Sequence, residues 1–254
     1  MIRAIRTLSA CLMLAALAVQ CGTGQRKEEK FSMLPTYLGS AANGNLEMTR
    51  IGLIGGTDVH VDSTDSRGVT ALILASINGH VEVVRYLISE NANLEIGEPR
   101  RGFTALAGAA FNGHLDVVQL LLKSGANVNH VKTVDGWSAL MLASFRGHTE
   151  VVRALVEAGA DLTLRDTNGN TPLMAAAAGG HDRTVVYLIS RGISPGATNR
   201  FNRTALMDAA QNGRTETVRL LLSHKVDVNV VTQSGQTALS MAAGIGHAKI
   251  AELL

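Results

Sequence analysis

Apolar and polar residues follow a pattern that repeats every 33 or 34 residues along most of this chain, and each period predicts two short α-helices. The first helix of a period is rich in small apolar residues such as Ala109 and Ala110, which favour helix formation and close packing. The second helix, as in Val83–Ile88, has apolar side chains three and four positions apart. Helices of about nine residues are unstable alone, so each must pack against its neighbours.

A Thr or Ser opens each first helix, and a glycine follows it nine positions later. The hydroxyl is a favourable N-cap, and glycine ends a helix because it readily adopts left-handed backbone angles. The opening residues are Thr70, Thr104, Ser138, Thr171, Thr204 and Thr237. The glycines are Gly79, Gly113, Gly147, Gly180, Gly213 and Gly246. The second helix is predicted to end at a similar left-handed position, which is Asn91, Gly125, Gly159 or Gly192 in different periods.

Five of these glycines are followed by a histidine, and the other is followed by Arg214. Stacked helices lie ~8–10 Å apart, whereas zinc needs its ligands about 2 Å away, so histidines one period apart cannot hold one ion. We interpret them as caps of the second helices; they are His80, His114, His148, His181 and His247. No serine lies in a nucleophile-elbow motif, and no glycine pair matches a phosphate-binding loop. The sequence therefore predicts no catalytic residue, no metal site and no cofactor.

The segment "GFTALAGAAFNGHLDVVQLLLKSGANVN" closely resembles one ankyrin repeat, and the resemblance extends over residues 33–254. It implies an all-α solenoid of stacked helix-turn-helix units with β-hairpin fingers and about seven repeats. The first unit is degenerate, with Gly44 in the place of Gly79. Many ankyrin repeats carry a histidine after the "TPL" string; here other residues stand there, so the inter-repeat hydrogen bonds of that histidine are expected to be missing. The predicted repeats are residues 34–66, 67–100, 101–134, 135–167, 168–200, 201–233 and 234–254.

The resemblance implies a binding surface on the concave side, formed by the fingers and the adjacent ends of the first helices. Five of the chain's nine aromatic residues fall at these positions, together with several arginines. Aromatic and Arg side chains carry much of the binding energy at protein interfaces. The predicted binding residues are Arg67, Arg100, Arg101, Phe103, Phe111, Trp137, Phe145, Arg146, Arg200, Phe201 and Arg203. A second interpretation of Phe111 and Phe145 is that they fill space between first helices.

The function that follows is a non-catalytic protein-interaction module, whose partner presents an apolar group flanked by acidic side chains. The arginines are expected to affect the association rate more than specificity. Two alternatives are a structural or capping scaffold without a single ligand, and an effector that binds a host protein. Once Arg3 and Arg6 of the leader are set aside, basic and acidic residues balance, so nucleic-acid binding is not expected. A monomer is expected.

The N-terminus predicts export from a bacterial cytoplasm. Arg3 and Arg6 precede the apolar run Leu8–Val19, which is typical of a signal peptide over residues 1–20 and short for a membrane span. The string "AVQCG" resembles a lipoprotein processing site and would place a lipid on Cys21. Cleavage after Ala18 and an uncleaved anchor are the alternatives. Residues 21–32 form a polar tether, and the body is expected in the periplasm, at a membrane through the lipid, or secreted.

Overall fold

The computed structural model describes residues 33–54, 59–100, 102–131 and 134–254. The predicted signal peptide, the tether with Cys21, and Arg101 lie outside these residues. The described chain forms fourteen α-helices in seven pairs. The first helices of the pairs are α1 Leu34–Ala42, α3 Ala71–Ile77, α5 Ala105–Asn112, α7 Ala139–Arg146, α9 Pro172–Gly179, α11 Ala205–Gln211 and α13 Ala238–Ile245. The second helices are α2 Leu46–Ile54, α4 Val81–Ser89, α6 Leu115–Lys123, α8 Thr149–Glu157, α10 Asp182–Ser190, α12 Thr215–Ser223 and α14 Ala248–Ala251.

The helices stack in two layers, since each first helix packs against the next first helix and each second helix against the next second helix. Alanines such as Ala109 and Ala143 are fully buried between first helices, where their small size permits close approach. Leucines such as Leu121, Leu155 and Leu188 fill the space between the layers, also with no exposed surface. Each buried leucine contributes about 1.5–3 kcal/mol. The predicted all-α solenoid of about seven repeats is confirmed, while the limits drawn between repeats stay a prediction.

The predicted caps hold the helix ends. Thr70 Oγ1 accepts a hydrogen bond from the Ile73 amide at 3.2 Å, and the residue that opens each later first helix caps it in the same way. Gly113 and Gly147 end their helices with φ of +80° and +73°. The predicted left-handed ends of the second helices also have positive φ, and Lys225 takes this conformation in the sixth repeat.

The predicted hairpin fingers are tight turns, and among the described residues only isolated antiparallel bridges, such as Thr198–Thr204, pair across them. Side-chain oxygens hold the turns in shape. Asn199 Oδ1, for example, accepts hydrogen bonds from the amides of Phe201 and Arg203, both at 2.9 Å. Because these amides are satisfied within the turn, the finger needs no extended strand pairing to hold its shape.

The histidines after the glycines stand at the N-cap positions of the second helices, but their side chains make no capping hydrogen bond there, so the predicted capping role is wrong. Each imidazole Nε2 instead lies 2.8–3.2 Å from a backbone carbonyl oxygen in the preceding repeat, at the end of its first helix. Arg214 makes the equivalent bond, from Nε to the Ala178 oxygen at 3.2 Å. The rings lie against the glycines of the preceding repeat: a Cβ on Gly147 would come within 2.3 Å of His181 Nδ1. These side chains, which we call the histidine ladder, supply hydrogen bonds between neighbouring repeats.

Candidate functional site

Two edge-to-face aromatic pairs lie beside the fingers of the third and fourth repeats. Phe103 and Phe111 have ring centroids 6.1 Å apart with an angle of 74°, and Trp137 and Phe145 are 5.6 Å apart at 79°. In each pair one ring precedes the N-cap of a first helix and the other lies in its last turn. The predicted aromatic cluster is therefore assembled by sequence spacing, in a geometry that aromatic rings favour.

Arg146 lies above this cluster, with its guanidinium carbon 4.8 Å from the centre of the Phe111 ring. A cation–π contact of this kind links the third repeat to the fourth. Phe103, Phe111 and Trp137 are half-buried, whereas Phe145 and Phe201 are 40% and 48% exposed. The rings thus do both things that the sequence suggested, packing against their neighbours and keeping accessible surface.

A shallow cleft of about 310 Å³ lies between the fourth and sixth repeats. Trp137 and Phe145 line one side, and Phe201 and Arg203 line the other. Met174, Ala175 and Ala178 of α9 also line it. We call this space the repeat-five cleft.

Arg203 is paired within its own repeat. Its Nη2 donates to Asp208 Oδ1 and to Gln211 Oε1, both at 2.6 Å, and its Nε donates to Asp208 Oδ1 at 3.0 Å. The two charged side chains are only 23% and 15% exposed. Burial raises the pKa of Asp208, and the Arg203 guanidinium opposes that rise. The charge of Arg203 is therefore offset locally.

A family model for ankyrin repeats matches the chain in three copies, over residues 38–132, 129–199 and 192–254. The chain belongs to the ankyrin repeat family. Among solved structures it is similar to the human ASB11 ankyrin repeat domain, with 25% identity and a TM-score of 0.73. That match covers 81% of this chain and 90% of the human domain. No curated protein matches significantly by sequence.

Ankyrin repeats are in general protein-interaction modules without catalytic activity. Within the described part of the chain, no three His, Cys, Asp or Glu side chains are grouped so that they could hold a metal ion. None of the described helices is long and apolar enough to cross a membrane.

The remaining predicted residues differ in how they are held. Arg67 is 62% exposed and forms an ion pair with Asp65 at 2.8 Å, while Arg100 and Arg200 are exposed. The sequence reasoning missed Met174 and Asp208, which line the repeat-five cleft. The sequence did contain a signal for the cleft. The fifth repeat has the small residue Ala178 at the helix position where the third and fourth repeats have Phe111 and Phe145.

Proposed function

We propose that this ankyrin protein holds a partner protein on its aromatic finger surface, defined as Phe103, Phe111, Trp137, Phe145 and Phe201 with the adjacent arginines. The observation that carries the proposal is the presence of two edge-to-face contacts, each of which holds two of these rings together while part of their surface stays accessible. Clustered aromatic surface of this kind is typical of interaction sites.

The charges around the rings indicate the chemistry of the partner. Arg100, Arg146 and Arg200 are exposed on the same fingers and helix ends. Two nearby acids are engaged within the domain: Asp65 on a finger pairs with Arg67, and Asp208 on α11 pairs with Arg203. A partner segment with an apolar group flanked by acidic side chains complements this surface, and the exposed arginines increase its association rate.

Replacing Phe103 and Trp137 together by Ala is expected to weaken capture of the partner at least tenfold, because truncated aromatic anchors are costly at interfaces. The measurement is affinity capture from an envelope extract of the source organism, with mass spectrometry of the retained proteins. Val186→Ala is the matched control, because Val186 is 49% exposed on second helix α10. Circular dichroism checks that helicity is kept.

A partner retained by the parent and the control, but lost by the double variant, supports the proposal. The same proteins retained by all three would contradict it and favour a structural scaffold.

We also propose, from the sequence of residues 1–20, that the protein is exported and carries a lipid on Cys21. Cells fed a radioactive fatty acid are expected to label the parent and Cys11→Ser, but not Cys21→Ser. The Cys21 variant should also leave the membrane fraction, because its only lipid attachment is lost. Export without lipid in the parent would favour cleavage after Ala18. A leader retained on a cytoplasmic protein would contradict export.

A further inference from the structure

The repeat-five cleft exists because the fifth repeat carries small side chains where its neighbours carry large ones. The residue before the N-cap is Asn170, whereas it is Phe103 or Trp137 in the two preceding repeats. The residue in the last turn of the first helix is Ala178, whereas Phe111 and Phe145 stand there earlier. The row of large side chains is thus interrupted at the fifth repeat. The gap is bounded by the Trp137 and Phe145 rings on one side and by Phe201 of the next finger on the other.

The charged groups in the cleft do not attract an ion. Among the described residues that line it, the ionisable ones are Arg203 and Asp208, and they pair with each other at 2.6 Å. Asp166 lies behind them and is only 4% exposed, and its carboxylate accepts hydrogen bonds from the Asn168 and Asn170 amides. A cationic occupant would find no unpaired carboxylate, and an anionic one would have to displace Asp208 from Arg203.

The rim of the cleft is polar, and one exposed arginine lies beside it. Asn199 Nδ2 donates to Asn170 Oδ1 at 2.7 Å, so the two amides form one edge. The exposed Arg200 lies beside the opening, since its amide donates to the oxygen of the lining residue Asn168 at 2.9 Å. Arg146 does not, because its guanidinium lies over the Phe111 ring of the third repeat. An acidic group is therefore favoured beside the opening, and an apolar group is favoured inside it.

We infer that the repeat-five cleft binds one large apolar side chain of a protein segment that carries an acidic residue beside it. The apolar side chain lies between Trp137 and Phe201, above Ala178. The neighbouring carboxylate faces Arg200. This inference rests on the proposed function and names the anchor that the partner supplies.

The test uses three acetylated tripeptide amides, Asp-Leu-Asp, Asp-Gly-Asp and Lys-Leu-Lys, titrated into the protein. Binding is followed by nuclear magnetic resonance through the indole N–H of Trp137, the chain's only tryptophan, and the side-chain amides of Asn170 and Asn199. For Asp-Leu-Asp we expect a Kd in the millimolar range, as fits a ligand of this size. The other two peptides should bind at least tenfold more weakly.

Ala178→Phe fills the cleft with a side chain that the same helix position already holds in two other repeats, so the variant should fold. It is expected to weaken Asp-Leu-Asp binding at least tenfold. Ile245→Phe adds an aromatic ring to an exposed position in the last repeat and should leave binding unchanged.

Each other outcome overturns a stated part of the inference. Undetectable binding of Asp-Leu-Asp, or unchanged binding to Ala178→Phe, removes the cleft as the site. If Asp-Gly-Asp binds equally well, the cleft does not recognise an apolar side chain. If Lys-Leu-Lys binds equally well or more tightly, acidic neighbours are not recognised. If these peptide tests exclude the cleft but the Phe103→Ala, Trp137→Ala double variant still fails to retain the partner, the proposed function stands without the cleft. If the peptide binds but no partner is captured, the cleft stands alone.

Discussion

Gly147→Ala is expected to lower the free energy of unfolding by about 3 kcal/mol, whereas Gly159→Ala in the same repeat should cost only about 1 kcal/mol. Both glycines have left-handed backbone angles, with φ of +73° and +89°, so an alanine is strained at either position. They differ in what a Cβ would meet: His181 Nδ1 at 2.3 Å for Gly147, and nothing within 4 Å for Gly159. The extra loss comes from displacing the imidazole and its hydrogen bond to the Phe145 oxygen.

Urea unfolding followed by circular dichroism measures the two costs. The control removes the obstacle: in a His181→Ala background, Gly147→Ala should cost no more than Gly159→Ala, because only backbone strain remains. Equal costs for the two glycine variants with His181 present would show that the histidine ladder does not hold the repeats together as described.

Arg203→Ala is expected to destabilise the protein by about 3 kcal/mol, because it leaves the Asp208 carboxylate buried without its partner. Arg67→Ala is the matched control on another finger. Arg67 is 62% exposed, and Asp65 keeps its hydrogen bonds from the amides of residues 67 and 69, so loss of the ion pair should cost below about 1 kcal/mol. The double variant Arg203→Ala, Asp208→Asn should lose less free energy of unfolding than Arg203→Ala alone. The measurement is again urea unfolding at pH 7, and equal costs for Arg203→Ala and Arg67→Ala would contradict the account.

The cost of Arg203→Ala should also depend on pH. Burial raises the pKa of Asp208 above its ordinary value of 3.8, and Arg203 opposes that rise. A carboxyl whose pKa is higher in the folded state lowers stability as pH rises through the two pKa values. Without Arg203 the folded pKa rises further, so the cost of the substitution should be larger at pH 7 than at pH 4.5. The same unfolding measurement at the two pH values checks this, and a larger cost at pH 4.5 would reverse the sign.

Much of the fold could be predicted because its determinants are local. The capping hydroxyl of Thr70 bonds to an amide three residues away, and the left-handed conformation of Gly113 depends on its own missing side chain. Because such features recur in every repeat, the sequence shows both the element and its spacing. Stacking then follows, since no helix of this length is stable alone.

The histidine ladder could not be predicted in the same way, because its acceptors lie in another repeat. His114, for example, bonds to the oxygen of Ile77, 37 residues earlier. Position alone placed it before a helix, which favoured the capping interpretation. The replacement of one histidine by Arg214 was an informative signal. Both side chains can donate a hydrogen bond from an N–H group, whereas an N-cap side chain has to accept one, which arginine cannot do.

The positions of the aromatic residues could be predicted from the sequence, but their pairing could not. The sequence placed Phe103, Phe111, Trp137 and Phe145 at the fingers and helix ends, and the structure joins them in two pairs. It could not show that Arg203 turns towards Asp208, because this depends on the side-chain conformation that the finger permits. The amino-acid composition does not show the repeat-five cleft either. It becomes visible only when the small residues of the fifth repeat are compared with the large residues at the equivalent positions of the neighbouring repeats.

The central claim is that a partner protein lies on the aromatic finger surface, and site-specific photocrosslinking tests it most directly. The photoreactive amino acid p-benzoylphenylalanine replaces Phe201 on a finger in one protein and Val186 on second helix α10 in another. The two positions are similarly exposed, at 48% and 49%, so accessibility does not favour either. We predict that the captured partner crosslinks from position 201 and not from position 186. Crosslinking from position 186 alone would contradict the account and place the partner on the second-helix face.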